Sequence, residues 1–476
     1  DSLETRLDLK SKSGDLRRLI GAERNDSTPD VTINAEGYVT YAAKAIATDL
    51  TVKGLGGDIV TNASYDINAK GYEADIDIKE IDAGMLFDNV PLKEFTGKLL
   101  AKGKGFDIFG KNTEYDVNLS IDTVIYDNIK LNDIMLHANQ EKQLSNIALT
   151  SNSEYLKFNI EANTELEPDN ISNKTAIEIS EADFMMIGLT DAELGTRLKM
   201  NIAASTDMQE SHAITLRGKD IKIITPNKIF TPAEIMLDLG TAPDSSYITA
   251  TNGDLRIQGE MNSGYNGLFK SFDNINKMLD EATKEKDYTL YYINDYAKEL
   301  PSISLDFNCG KQNMLHNFLA INKININDAS LDISINKGNN IDINSGVYGF
   351  KTGELNLDTI RFFTKQEGNI IRYLAGVRST AVNPQQEKLT FSSMLYGNIF
   401  NDSVTTNFMF RDKKEGVGIR FGLKTLVKPN ELNLSFRPDA IFLNNRFNFD
   451  KENYVTLKSN GTIDADVTLS NDSDAG

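Results

Sequence analysis

The 476-residue sequence has no tryptophan, one cysteine, three histidines and ten prolines. Nowhere does it reach the run of about 18 apolar residues that a membrane-crossing helix needs. Each shortage removes a class of function. Cys309 alone cannot form an internal disulfide, a thiolate zinc cluster or a Cys-x-x-Cys redox pair. His137, His212 and His316 are scattered, without i, i+4 or HExxH spacing, so no histidine-rich metal site is expected. A P-loop, a strand-linked GxGxxG and a GxSxG elbow are all missing, and three histidines leave little for a Ser-His-Asp set. Positive charge is also in short supply. Fifty Lys and Arg face 69 Asp and Glu, a formal charge of -19 that argues against nucleic-acid binding and against adsorption to anionic lipid. The chain starts at Asp1 with no apolar leader, which reads as a mature form or a piece of something longer.

What is present in abundance is alternation with period two, the signature of strands with one apolar and one polar face. Tyr72, Ala74, Ile76 and Ile78 share one phase while Glu73, Asp75, Asp77 and Lys79 share the other. The pattern returns at Tyr115, Val117, Leu119 and Ile121, at Leu156, Phe158, Ile160 and Ala162, at Leu331, Ile333 and Ile335, and at Leu432, Leu434 and Phe436. Turn sequences such as Asn68-Ala-Lys-Gly71, Lys337-Gly-Asn-Asn340 and Ser459-Asn-Gly461 separate the runs and supply the positive φ that tight hairpins require. Clean alternation predicts antiparallel strands, because buried parallel strands read as continuous apolar runs. The polar phase also absorbs the acidic pairs Asp75/Asp77, Glu178/Glu181 and Asp464/Asp466, which read as a solvated face rather than as catalytic carboxylates. His137 in a strand-like run and Cys309 without a basic neighbour read as structural side chains. No calcium loop is complete, and no catalytic constellation or cofactor site is expected.

Two features interrupt the alternation. Ile76 to Leu86 aligns with Ile177 to Ile187, displaced by 101 positions; duplication and shared strand chemistry both fit. From Gly264 to Leu300 the apolar residues Leu268, Phe272, Ile275, Leu279 and Ala282, then Leu290, Ile293, Ala297 and Leu300, step at helical spacing, which predicts one or two amphipathic helices ending at Pro301. Such an insertion can cap a sheet end or lie across an apolar groove as a lid. The expected organisation is a first β part over 1–262 with loose repeats, a helical insertion over 263–300 and a second β part over 301–476.

Several stretches resemble the TamB family of AsmA-like proteins. They are Leu300 to Leu319 (LPSISLDFNCGKQNMLHNFL), Ile324 to Ile335, Tyr348 to Arg361, Leu432 to Phe449 with its Pro-containing turn and Asn-rich hairpin, and the glycine-rich Phe95 to Asp107. The resemblance implies an all-β, elongated, curled antiparallel sheet forming a taco-like groove, with a short helical insertion. It implies a periplasmic segment of an envelope protein whose full length is anchored in the inner membrane. Its C-terminal end would engage a BamA/TamA-type outer-membrane barrel through a region outside this chain. The function implied is movement of phospholipid between the two membranes, with a scaffold for outer-membrane protein assembly as the alternative; neither is enzymatic, and no nucleic acid takes part. Phospholipid acyl chains would then lie against Ile76, Ile78, Val117, Leu119, Phe158, Ile160, Ile333 and Ile335. The alternation by itself does not separate such a lining from a dry protein core.

Overall fold

In the computed structural model, the described residues are 2–15, 30–85, 91–127, 129–285, 297–337, 340–353, 355–380, 390–400, 402–412 and 416–471. Alternating runs become strands throughout. Among the described residues 32 strands are assigned to one antiparallel sheet that does not close into a barrel. The chain divides into two compact units, Asp1–Gln209 with Ile214–Glu234, and Glu210–Ala213 with Ile235–Gly476.

The first unit is a meander in its simplest form. Twelve strands from Ser2–Lys12 to Gly195–Thr206 each pair with the next in sequence. Two-residue hairpins at Ala43-Lys44 and Lys142-Gln143 place both central residues at positive φ, the turn whose twist matches that of the strands it joins. At Asn68 to Gly71 the positive φ falls on Lys70 rather than on the glycine. The predicted turn at 337–340 includes residues 338 and 339, which lie outside the described set.

Register shifts break the ladder at one level of these strands, between Ile78 and Ile81, between Thr96 and Gly97, and between Ile179 and Ala182. Glu80, Asp133 and Asp220 take left-handed backbone near this level, with φ of 52°, 52° and 55°. A bulge bends its strand and adds twist, so the sheet is creased there. The shifts at Ile78/Ile81 and Ile179/Ala182 are displaced by the same 101 positions as the sequence match. Beyond the crease Ile33, Leu55 and Ile81 form a small closed core with Val31, Val52, Ile59, Ile78 and Met85 against it, and Ile187 is buried in the loop after the second shift.

The second unit holds the two described helices of eight residues or more. α1 (Tyr265–Glu285) falls where helical spacing predicts it; Leu290 and Ile293 lie outside the described residues, while Ala297 is buried. α2 (Met314–Ile321) stands between Ile303–Cys309 and Asp328–Asn336, strands that pair directly with each other. This helix lies within 301–476, the stretch expected as the second β part. Near the C-terminus Val417–Lys428 pairs with both Glu431–Phe436 and Asp439–Phe442, so the ladder forks. Stacked rings at Phe421/Phe442 and Phe436/Phe449, with Phe408 tilted against Phe421, fill the fork.

Candidate functional site: an apolar sheet face

Directly paired residues in an antiparallel ladder project from the same face, so register alone sorts side chains into rows. In the first unit one row reads Ile76, Leu99, Leu119, Leu136, Leu149, Ile160, Ile177, Met200 across eight consecutive strands without a polar residue. The row beside it includes Ile78, Ile121, Ile134, Phe158, Ile179 and Leu198, interrupted by Gly97 and Ser151. A third row carries Ala74, Ala101, Val117, Ala138, Ile147 and Ala162. Six of the eight expected lining residues therefore share one face of the first unit. Ile333 and Ile335 lie on a face of the second, opposite Leu305 and Ile343, and Ile303 and Ile341. Seven of the eight are half-buried, and Ile335 is buried at 9% exposure.

Half-burial is the informative quantity. In a packed sandwich the inward rows of two sheets interdigitate and lose nearly all contact with solvent. Here only sixteen apolar residues are fully buried among the described residues, and in the three rows only Ile134 is one of them; Ile147 remains 38% exposed. The second unit's face is less uniform. The row through Ile333 continues Ile343, Thr364, Tyr373, Gly397, Thr406, and the Tyr373 hydroxyl bonds Thr406 Oγ1 at 2.6 Å.

The opposite face of the first unit is polar and lightly paired. Lys98–Asp75, Lys157–Glu181 and Lys199–Glu178 lie at 3.0, 2.9 and 3.0 Å, all exposed, so each adds little to stability. The hydrogen bond from Lys157 holds the Glu181 carboxyl below its ordinary range, and Glu178 raises Lys199. His137 stands on this face between Asn118 Oδ1 at 2.8 Å and Asn139 Nδ2 at 3.0 Å; an imidazole with its proton on Nδ1 satisfies both. Among the described residues no three His, Cys, Asp or Glu converge as a metal site. Cys309 is 1% exposed, and burial pushes its thiol up despite the hydrogen bond from Asn313, which fits an unreactive side chain.

Periodicity concealed one edge of the apolar face. Tyr72 and Tyr115 belong to the apolar phase, yet at their level the face turns polar: Tyr65, Tyr72, Gly103, Tyr115, Gln140, Ser145 and Thr164 form successive pairs. Gly103 is required there, because a Cβ would lie 2.5 Å from the Tyr72 hydroxyl. The strand ends at Lys104, and Phe106 folds back so that its ring stacks on Tyr72 at 5.1 Å. Gln140 Nε2 donates to Ile108 O at 2.7 Å and Gln143 Nε2 to Phe109 O at 3.0 Å, which fixes the loop. A cavity of about 810 Å³ at this level takes most of its lining from the opposite, polar phase, including Glu73, Lys102, Asp116 and Asn139. Burial, then the neighbouring Tyr115, raises the Tyr72 phenol.

No family model, curated protein or solved structure matches this chain.

Proposed function

We propose that the chain is a non-enzymatic carrier whose apolar sheet face holds the acyl chains of phospholipid. The observation that carries this reading is the row from Ile76 to Met200, apolar over eight strands and half-buried rather than enclosed. Such a surface suits sliding, since each buried methylene is worth about 0.8 kcal/mol wherever it lies along equivalent positions. The outer rows of Asp, Glu, Asn and Lys keep the remainder solvated. With the local likeness to TamB-family phrases, this supports a periplasmic segment of an AsmA-like protein that passes phospholipid between inner and outer membranes. A BamA/TamA-type barrel would be engaged by a region outside this chain.

A second reading, a scaffold for outer-membrane protein assembly, is favoured by one feature. Among the described residues Ser2–Lys12 pairs on one side only, and it exposes Leu3 and Leu9 at 64% and 45%, an edge suited to strand addition. Photo-crosslinkers at Phe158 and Ile333 in the full chain separate the two. Phospholipid adducts are expected at both positions. Recovery of unfolded barrel polypeptide without phospholipid would sink the carrier reading.

A further inference from the structure

We infer that the edge strand of the first unit pairs with the same strand of a second copy of this chain, joining two apolar faces into one. The pairing is read from the edge strand and holds whether or not the face carries lipid. Among the described residues Ser2–Lys12 pairs only with Thr32–Ala42, in unbroken register, and nine of its eleven residues are exposed. Edge strands are normally protected by brevity, proline, a bulge or a concentration of lysine. This one is long, has no proline and no bulge, and alternates the sign of its charges along one face: Glu4, Arg6, Asp8, Lys10. It carries three basic residues against two acidic ones, in a chain whose net charge is -19, so the repulsion between copies is least here.

The order of charges specifies the partner. In an antiparallel ladder opposite residues share a face, so a strand paired with its own copy is centred on one residue, about a two-fold axis. Centred on Leu7, Glu4 faces Lys10 and Arg6 faces Asp8, each twice, and all eleven residues overlap. Centred one residue away, on Arg6 or on Asp8, like charges meet: Glu4 faces Asp8, or Arg6 faces Lys10. Parallel pairing in register sets each charge against its own kind. Asp8 gains most from an arginine on its open side, because its neighbour within the sheet is Glu36. Exposed ion pairs add little affinity; they fix the register, while the backbone ladder holds the strands together. Register also carries the apolar face across the junction. Leu7 continues the Ile76 row through Thr61, Leu50 and Gly37. With Leu7 opposite its counterpart, that row runs on into the second copy's sheet on the same face.

Sedimentation of the full chain at about 100 µM and low salt should give a dimer, since small interfaces hold at micromolar concentration. Arg6→Glu and Asp8→Arg each turn two attractions into repulsions and should weaken that dimer about tenfold or more. Mixing the two variants should restore it, because position 6 of each then faces the opposite charge at position 8 of the other. Restoration also shows that both variants are folded. Cys309 is 1% exposed, so Leu7→Cys supplies the single accessible thiol. It should form an intermolecular disulfide, because opposed Cα atoms lie about 5 Å apart, whereas Leu3→Cys, which faces Ser11, should not. A monomer at that concentration, single variants that associate as the unsubstituted chain does, or a mixture no better than either variant overturns the pairing. Capture of an unfolded barrel strand by Leu7→Cys in place of a second copy also overturns it and gives the edge to the assembly scaffold.

Discussion

Asn313 gathers the polar interior beside α2. Its amide donates to Asp254 Oδ1 at 2.6 Å and to Gly310 O at 3.0 Å, while its carbonyl accepts from His316 N at 2.8 Å as the cap of the helix. Burial works against the Asp254 carboxylate, but hydrogen bonds from Asn313 and the Gln312 and Lys311 amides outweigh it and hold the pKa below the usual aspartate value. A depressed pKa means stability that is present above the unfolded value, near 3.8, and is lost as pH falls through the folded one. Asn313→Ala should therefore cost about 1–2 kcal/mol locally and speed hydrogen exchange over Met314–Ile321, and acid below about pH 4 should do the same in the unsubstituted protein. Unchanged exchange in that helix would show that the network does not hold it.

The apolar face makes a contrasting prediction at the same scale. Leu119 is half-buried on the open row, whereas Ile81 is 9% exposed in the closed core. Leu119→Asp should lower stability by roughly 1 kcal/mol, and Ile81→Asp by on the order of 3 kcal/mol or more, read as denaturation midpoints. Similar losses at both positions would mean that the row is packed as tightly as the core. The phase of Ile76, Leu119 and Ile160 was legible in the sequence because alternation and register agree. The polar level at Tyr72 and Tyr115 was not, since a tyrosine counts as apolar in a periodic pattern and its hydroxyl shows only once the cross-strand partners, Gly103 and Gln140, are known.

Among the elements, the strands were readable and their irregularities were not. Glu80, Asp133 and Asp220 fall in polar runs that look regular, yet each adopts left-handed backbone. That conformation costs a non-glycine residue roughly 1–2 kcal/mol, and more for a β-branched one. Asp133→Gly should accordingly be neutral or stabilising, and Asp133→Val destabilising by about 1 kcal/mol or more in urea melts. The opposite order would show that the crease does not depend on that geometry. α2 escaped the periodic reading for a different reason. Met314 to Ile321 is a short, mostly apolar run, which period alone does not distinguish from a strand, and only the preceding Asn313 signals a cap. α1, being 21 residues long with Lys and Asp between its apolar positions, announced itself.

At the scale of the molecule, sixteen apolar side chains are fully buried among the described residues of a 476-residue chain. So small an enclosed set leaves most side chains in contact with water, and the -19 charge falls on the solvated rows. Binding driven by an apolar face should rise about fourfold for each methylene added to a single-chain lipid. It should also change little between low and high salt, because no counterion is released. A steep salt dependence with no dependence on chain length, measured by fluorescent-lipid displacement, would contradict the proposed carrier.

The twelve-strand meander also bears on how such a chain can vary. Each strand depends on its two neighbours, and the rows are assembled one residue per strand. Inserting or deleting a complete hairpin leaves chain direction, register and the apolar phase of every remaining strand unchanged, whereas a single added residue inverts one strand's faces. Length is thus a quantity that selection can adjust in steps of two strands, with no central core to be redesigned each time.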